Sequence, residues 1–164
     1  ILVSSLSKTV AAGVRLGWIV ATPLLLARID PHAQSAHWGL SPLCVAIANQ
    51  WLSDGTVLQR VAWQTEEVTR RWRLAKKLLG AVMYQTAIPS PHIWLTLPAG
   101  PVPFAESCRK VGVDVVPAEV FAVKSSPLNA VRISLTAASS TQRLKVALER
   151  IAQMIDQGTP CAEK

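Results

Sequence analysis

The sequence predicts a mixed α/β chain, and three observations carry that reading. After Gly80, short apolar strands alternate with helices and are punctuated by prolines from Pro89 to Pro127. Before Gly80 runs one amphipathic helix of about 25 residues, long for a globular protein. The first residues set two apolar strands around a polar loop. Half of the 164 residues are apolar, enough for a sizeable core in one domain and part of a second.

Taken in order, residues 1–3 (ILV) read as a short buried strand, and residues 16–21 as a second. Pro23 then opens a helix with Thr22 as its N-cap; it runs through Leu24, Leu25, Leu26 and Ile29 and falters at Asp30-Pro31. Ser41-Pro42 starts another, carrying Val45, Ile47, Ala48, Trp51 and Leu52. Asp54 is the N-cap expected for the long helix over 55–79, with Gly80 stopping it. Its apolar stripe is Val57, Val61, Val68, Trp72, Ala75 and Leu79, with glutamates early and cations late. Beyond it, strands are expected at 92–97, 113–116 and 131–135, and helices at 103–111 and 140–156.

The formal net charge of +7 admits a nucleic-acid partner, but the cations are scattered. The one cluster, Arg70, Arg71, Arg73, Lys76 and Lys77, is accounted for by a solvated helix face. Cys44, Cys108 and Cys161 are odd in number and lack CxxC spacing, so reduced thiols of a cytoplasmic protein are expected, with neither disulfides nor zinc. His32 and His37 are five apart and His92 is distant, which argues for capping or packing and against a metal. Trp38, Trp51, Trp63, Trp72 and Trp94 read as core or domain-interface aromatics. Tyr84 is the sole tyrosine, and no G-x-S-x-G elbow occurs. No apolar run reaches the roughly 20 residues of a membrane span. The chain begins at Ile1 with no charged leader, so it reads as a piece of something longer.

The loop "SSLSKTVAAGVRLGW" (residues 4–18) is the richest in chemistry. Hydroxyls of Ser5 and Ser7 can donate to phosphate oxygens, Arg15 can pair with a dianion, and Gly13 lets backbone approach. Lys8 can lose its proton and attack a carbonyl, as a Schiff base to pyridoxal phosphate requires. From the residues alone, an ordinary surface loop explains the same pattern.

The stretch closely resembles the S-x-S-K-T-x-x-x-G-x-R-x-G-W segment of fold-type I pyridoxal-phosphate enzymes, the class I/II aminotransferases, through Ser5, Ser7, Lys8, Thr9, Gly13, Arg15, Gly17 and Trp18. "WLSDG" with the basic helix resembles their domain-linking helix, and "HIWLTLP" and "GVDVVPAEVFAV" their small-domain strands. "NAVRISL" resembles the segment whose arginine binds a substrate α-carboxylate. The texture is most similar to the aminotransferase-like domain of MocR-type regulators of the GntR group. Free-standing aminotransferases commonly carry Gly-Gly before the "W-L-x-L-P" strand, where this chain has Ser90, Pro91 and His92.

The resemblance implies an aspartate aminotransferase-like fold in truncated form. Residues 1–54 would end the large cofactor-binding domain, 55–80 form the linking helix, 81–157 the α+β small domain and 158–164 a tail. It implies pyridoxal 5'-phosphate as cofactor, with Lys8 as the Schiff-base lysine, Ser5, Ser7 and Arg15 on the phosphate, and Arg132 on the carboxylate of an amino acid or amine. It further implies a homodimer and, through an upstream winged-helix domain, DNA as partner. The alternative it leaves open is an authentic aminotransferase moving an amino group between an amino acid and a 2-oxo acid.

Overall fold

The computed structural model describes residues 1–29, 39–98, 100–123 and 128–157. The expectations for Asp30-Pro31, His32, His37, Trp38, Pro127 and Cys161 lie outside the described residues. The chain divides into two compact units, Ile1–Glu66 and Glu67–Lys164.

In the first unit, strand β1 (Leu2–Ser5) leads into a single helical turn, α1 (Leu6–Thr9), then a 3-10 turn at Ala12–Val14, and returns as β2 (Gly17–Val20). The strands pair antiparallel with Leu2 opposite Val20 and Ser5 opposite Gly17. Leu6, Val10 and Val14 all turn inward and meet Ala48, so the loop between the strands is pinned by its apolar residues while its polar ones stay outside. Helix α2 (Pro23–Leu26) is one turn long, and α3 (Pro42–Ser53) supplies Ala48 and the half-buried Trp51.

Two expectations are corrected here. The opening strand forms but is not buried: Ile1 is 83%, Leu2 58% and Val3 70% exposed. Apolar composition states what a strand gains by burial, whereas burial needs a covering layer, and β1 meets only β2 in its two-stranded sheet. Helix α2 ends at Leu26 and does not continue through Ile29, and the Thr22 side chain makes no cap bond.

Helix α4 (Thr56–Leu79) spans the change from one unit to the other. The helix starts at Thr56 and not at 55, so Asp54 lies one residue before the N-cap position, which Gly55 occupies with a positive φ of 81°; the Asp54 carboxylate still serves the helix start, accepting from the Thr56 amide at 2.9 Å. Val57 and Val61 pack in the first unit's cluster; Trp72, Ala75 and Leu79 enter the second's. At the other end, a Cβ on Gly80 would lie 2.4 Å from the Lys76 carbonyl oxygen, which explains why glycine stands there.

In the second unit, β3 (His92–Thr96), β4 (Val116–Pro117) and β5 (Ala130–Ser134) form an antiparallel sheet in the order β3, β5, β4. Helix α5 (Pro101–Lys110) starts at a proline and α6 (Thr141–Asp156) begins after Ser140, whose hydroxyl accepts from the Arg143 amide. Leu95, Val131, Ile133 and Leu135 from the sheet region meet Phe104, Cys108, Leu144 and Leu148 from the helices. The expected strand at 113–116 contracts to Val116–Pro117: Val113 and Val115 are buried by packing, and Pro117 has no amide to extend a ladder.

The basic stripe is also corrected at one position. Arg70, Arg73, Lys76 and Lys77 are exposed, but Arg71 is buried. Its Nε donates to Glu67 Oε1 at 2.6 Å, and its Nη1 donates to the carbonyls of Leu135 and Ala138 at 2.8 Å each. Of the two roles expected for Trp63, core or domain interface, the core one does not hold: it is 51% exposed, with the Arg60 guanidinium carbon 4.8 Å from its ring centroid.

Candidate functional site

The first group of candidates gathers at one end of the β1–β2 pair. Ser5 is the last residue of β1, Ser7 and Lys8 lie in α1, and Arg15 precedes β2. The Leu6 amide donates to the Leu16 carbonyl at 2.9 Å, which holds the start of the lysine-bearing turn against the residue next to Arg15. The Thr9 hydroxyl donates to the Ser5 carbonyl at 3.1 Å and closes the turn from within.

Local sequence explains this presentation. With Leu6, Val10 and Val14 committed to the core, the intervening residues are left at the surface: Lys8 and Arg15 are exposed, Ser5 and Ser7 half-buried. Arg15 adopts a left-handed backbone (φ 52°), a conformation that costs a non-glycine residue about 1 kcal/mol or more. No aspartate or glutamate occurs in residues 1–29, so an anion at this loop meets two hydroxyls, an ammonium and a guanidinium without a like charge in the same segment. Among the described residues, neither Lys8 nor Arg15 forms an ion pair.

This donor set fits pyridoxal phosphate. A phosphate dianion asks for hydroxyl and guanidinium donors, and the aldehyde asks for a lysine amine that no carboxylate has claimed.

Arg132 stands in the second unit, on the middle strand β5. Its strand alternates: Val131 and Ile133 are buried in the core, while Arg132 and Ser134 occupy the opposite face and are half-buried. His92 and Trp94 of β3 are the direct cross-strand partners of Ser134 and Arg132. The guanidinium carbon of Arg132 lies 4.1 Å from the Phe121 ring centroid. Phe121 in turn meets Trp94 edge to face, centroids 5.5 Å apart at 85°. No carboxylate pairs with Arg132 among the described residues.

Nothing in the local sequence marks Phe121, or Trp94, as a neighbour of Arg132. Phe121 closes the short 3-10 turn Ala118–Phe121, where no periodic pattern marks an inward face. The replacement of the usual glycine pair is visible too: the His92 amide donates to the Ser90 hydroxyl at 3.3 Å, and Pro91 offers its carbonyl to the Leu135 amide at 2.8 Å.

Comparison with known proteins agrees with this architecture. The family model described as aminotransferase class I and II matches residues 1–151. An uncharacterized HTH-type transcriptional regulator of Bacillus subtilis (strain 168), YdeF, is 25% identical over 160 residues, covering 96% of this chain and 35% of the regulator. A second from the same organism, YdfD, is 29% identical over 85 residues, covering 52% of this chain and 18% of its own length. Among solved structures, the Pyrococcus horikoshii kynurenine aminotransferase in complex with PMP superposes with a TM-score of 0.80 at 22% identity, over 97% of this chain and 41% of that one. The chain thus spans well under half the length of the proteins it matches.

Proposed function

Because the chain belongs to the class I and II aminotransferase family, we propose that it is part of a pyridoxal-phosphate-binding, aminotransferase-like domain that senses an amino compound within a MocR/GntR-type transcriptional regulator. The observation that carries the regulatory half of this reading is the likeness to YdeF, an HTH-type regulator, along 96% of the chain. The cofactor half rests on the Ser5, Ser7, Lys8 and Arg15 loop. In this reading the linking helix is 55–80, the small domain 81–157, and the protein acts as a cytoplasmic homodimer with DNA held by a domain upstream of this segment.

Pyridoxal phosphate, when bound, supplies an aldehyde that condenses with amines and a ring that draws electrons from the adjoining carbon. The chain's own residues do the rest. Ser5 and Ser7 would donate hydroxyl hydrogens to phosphate oxygens, and Arg15 would offer paired N–H donors to the same dianion. Lys8 would hold the cofactor through its amine, and its Nζ, when not so engaged, would be the group able to accept and return a proton at a ligand's α-carbon. Arg132 receives the carboxylate of the amino compound. For a sensor, binding alone would be enough, since a ligand that binds one domain arrangement better than another shifts the population the DNA-binding part responds to.

Structural likeness to aminotransferases favours a second reading, an enzyme that transaminates. One experiment separates them. The full-length protein, loaded with pyridoxal phosphate, is tested for binding to DNA upstream of its own gene and for conversion of amino acid plus 2-oxo acid. The regulatory reading expects amino-compound-dependent DNA binding with negligible turnover; sustained transamination with no DNA affinity would contradict it.

A further inference from the structure

We propose that Phe121 is a positioning residue for Arg132: it fixes the guanidinium where a ligand carboxylate arrives and so sets the preference for amino compounds that carry a carboxylate. The inference rests on the reading of Arg132 as the carboxylate site. Three side chains close on one another at this face of the sheet. Arg132 lies 4.1 Å from the Phe121 centroid, Phe121 meets the Trp94 ring edge to face, and Trp94 is paired in register with Arg132 itself.

The chemistry of the contact matters. A long arginine stem loses much rotamer freedom when it docks, and an anchor that holds it beforehand removes part of that cost from binding. An aspartate or glutamate anchor would occupy the same N–H donors a ligand needs. A ring face attracts the cation through its quadrupole and leaves the donor fork unclaimed. Among the described residues no carboxylate pairs with Arg132, so the aromatic contact is the restraint in place. Phe121 is itself held by a turn whose Ala118 is buried, and by Trp94, so the ring is a fixed platform.

The test uses the full-length protein loaded with pyridoxal phosphate. Each of the twenty protein L-amino acids is titrated by the visible absorbance of the cofactor, and the strongest responder is compared with the amine that lacks its carboxylate. Phe121→Leu is expected to weaken the amino acid by roughly three- to tenfold, the scale of a cation–ring contact, while the amine binds as before. Phe121→Tyr, which restores the ring face, is expected to restore the amino acid. Phe121 is 42% exposed, so neither change empties the core. Equal weakening of acid and amine, or no change in either, overturns the positioning role. Arg132→Gln separates the two levels: if it leaves the acid-to-amine ratio untouched, or if no amino acid responds at all, the carboxylate reading fails and the proposal with it.

Discussion

Arg71 and Glu67 form an ion pair one helical turn apart, with Nε to Oε1 at 2.6 Å and both residues buried. The same guanidinium satisfies the carbonyls of Leu135, just past β5, and Ala138, so helix α4 is bonded to the end of the strand that carries Arg132. Glu67 also pairs with Arg70 and accepts from the Thr141 hydroxyl at 3.5 Å.

Removing Arg71 leaves Glu67 buried with only the exposed Arg70 and a long Thr141 contact, and leaves two carbonyls without this donor. Arg71→Met is expected to destabilise the folded chain by about 3 kcal/mol, because Glu67 loses its buried partner and two carbonyls lose their donor together. Urea unfolding followed by tryptophan fluorescence checks this; a loss under about 0.5 kcal/mol, the scale of an ordinary surface change, would contradict it.

The pair also gives stability a pH dependence. The hydrogen bond from Arg71 holds the Glu67 carboxyl below its ordinary value, with the charges of Arg71 and Arg70 adding to it against the opposing effect of burial. A carboxyl depressed on folding contributes stability above the unfolded glutamate value and loses it as pH falls through the folded one. Unfolding midpoints are therefore expected to drop with acidification below the usual glutamate range. Glu67→Gln should shallow that decline, and an unchanged acid slope would count against the assignment.

Gly80→Ala tests the helix stop. Its Cβ would sit 2.4 Å from backbone oxygen, so the helix end must shift, at a cost of about 1–3 kcal/mol. Thermal unfolding of the variant at or above the parent's midpoint would show that this close approach is not maintained.

Cys108 and Cys44 should differ in reactivity. Burial pushes the Cys108 thiol up to about 11, while Cys44 is only half-buried. At pH 8 the native protein should modify at Cys44 before Cys108, which reacts only on unfolding, as mass spectrometry after iodoacetamide treatment would reveal; rapid native labelling of Cys108 would contradict the burial.

Local signals in the sequence reached some features and not others. The stripe from Val57 to Leu79 and the helix over 140–156 were readable because helix periodicity acts within a few residues. The motif around Lys8 was readable as a family pattern, and its placement in a turn followed from apolar Leu6, Val10 and Val14. The exposure of Ile1–Val3 was not readable, because covering layers are tertiary facts. Arg71 looked like its exposed neighbours Arg70 and Arg73 for the same reason: its partners at Leu135 and Ala138 lie more than sixty positions away. Phe121 beside Arg132 depends on a sheet register that composition does not encode.

Attachment of pyridoxal phosphate at Lys8 is read out by the absorbance spectrum of the full-length protein after incubation with the cofactor and gel filtration. A visible band is expected to stay with the protein and to be absent from Lys8→Ala. An identical protein-bound band in Lys8→Ala, or none in the parent protein, would contradict it.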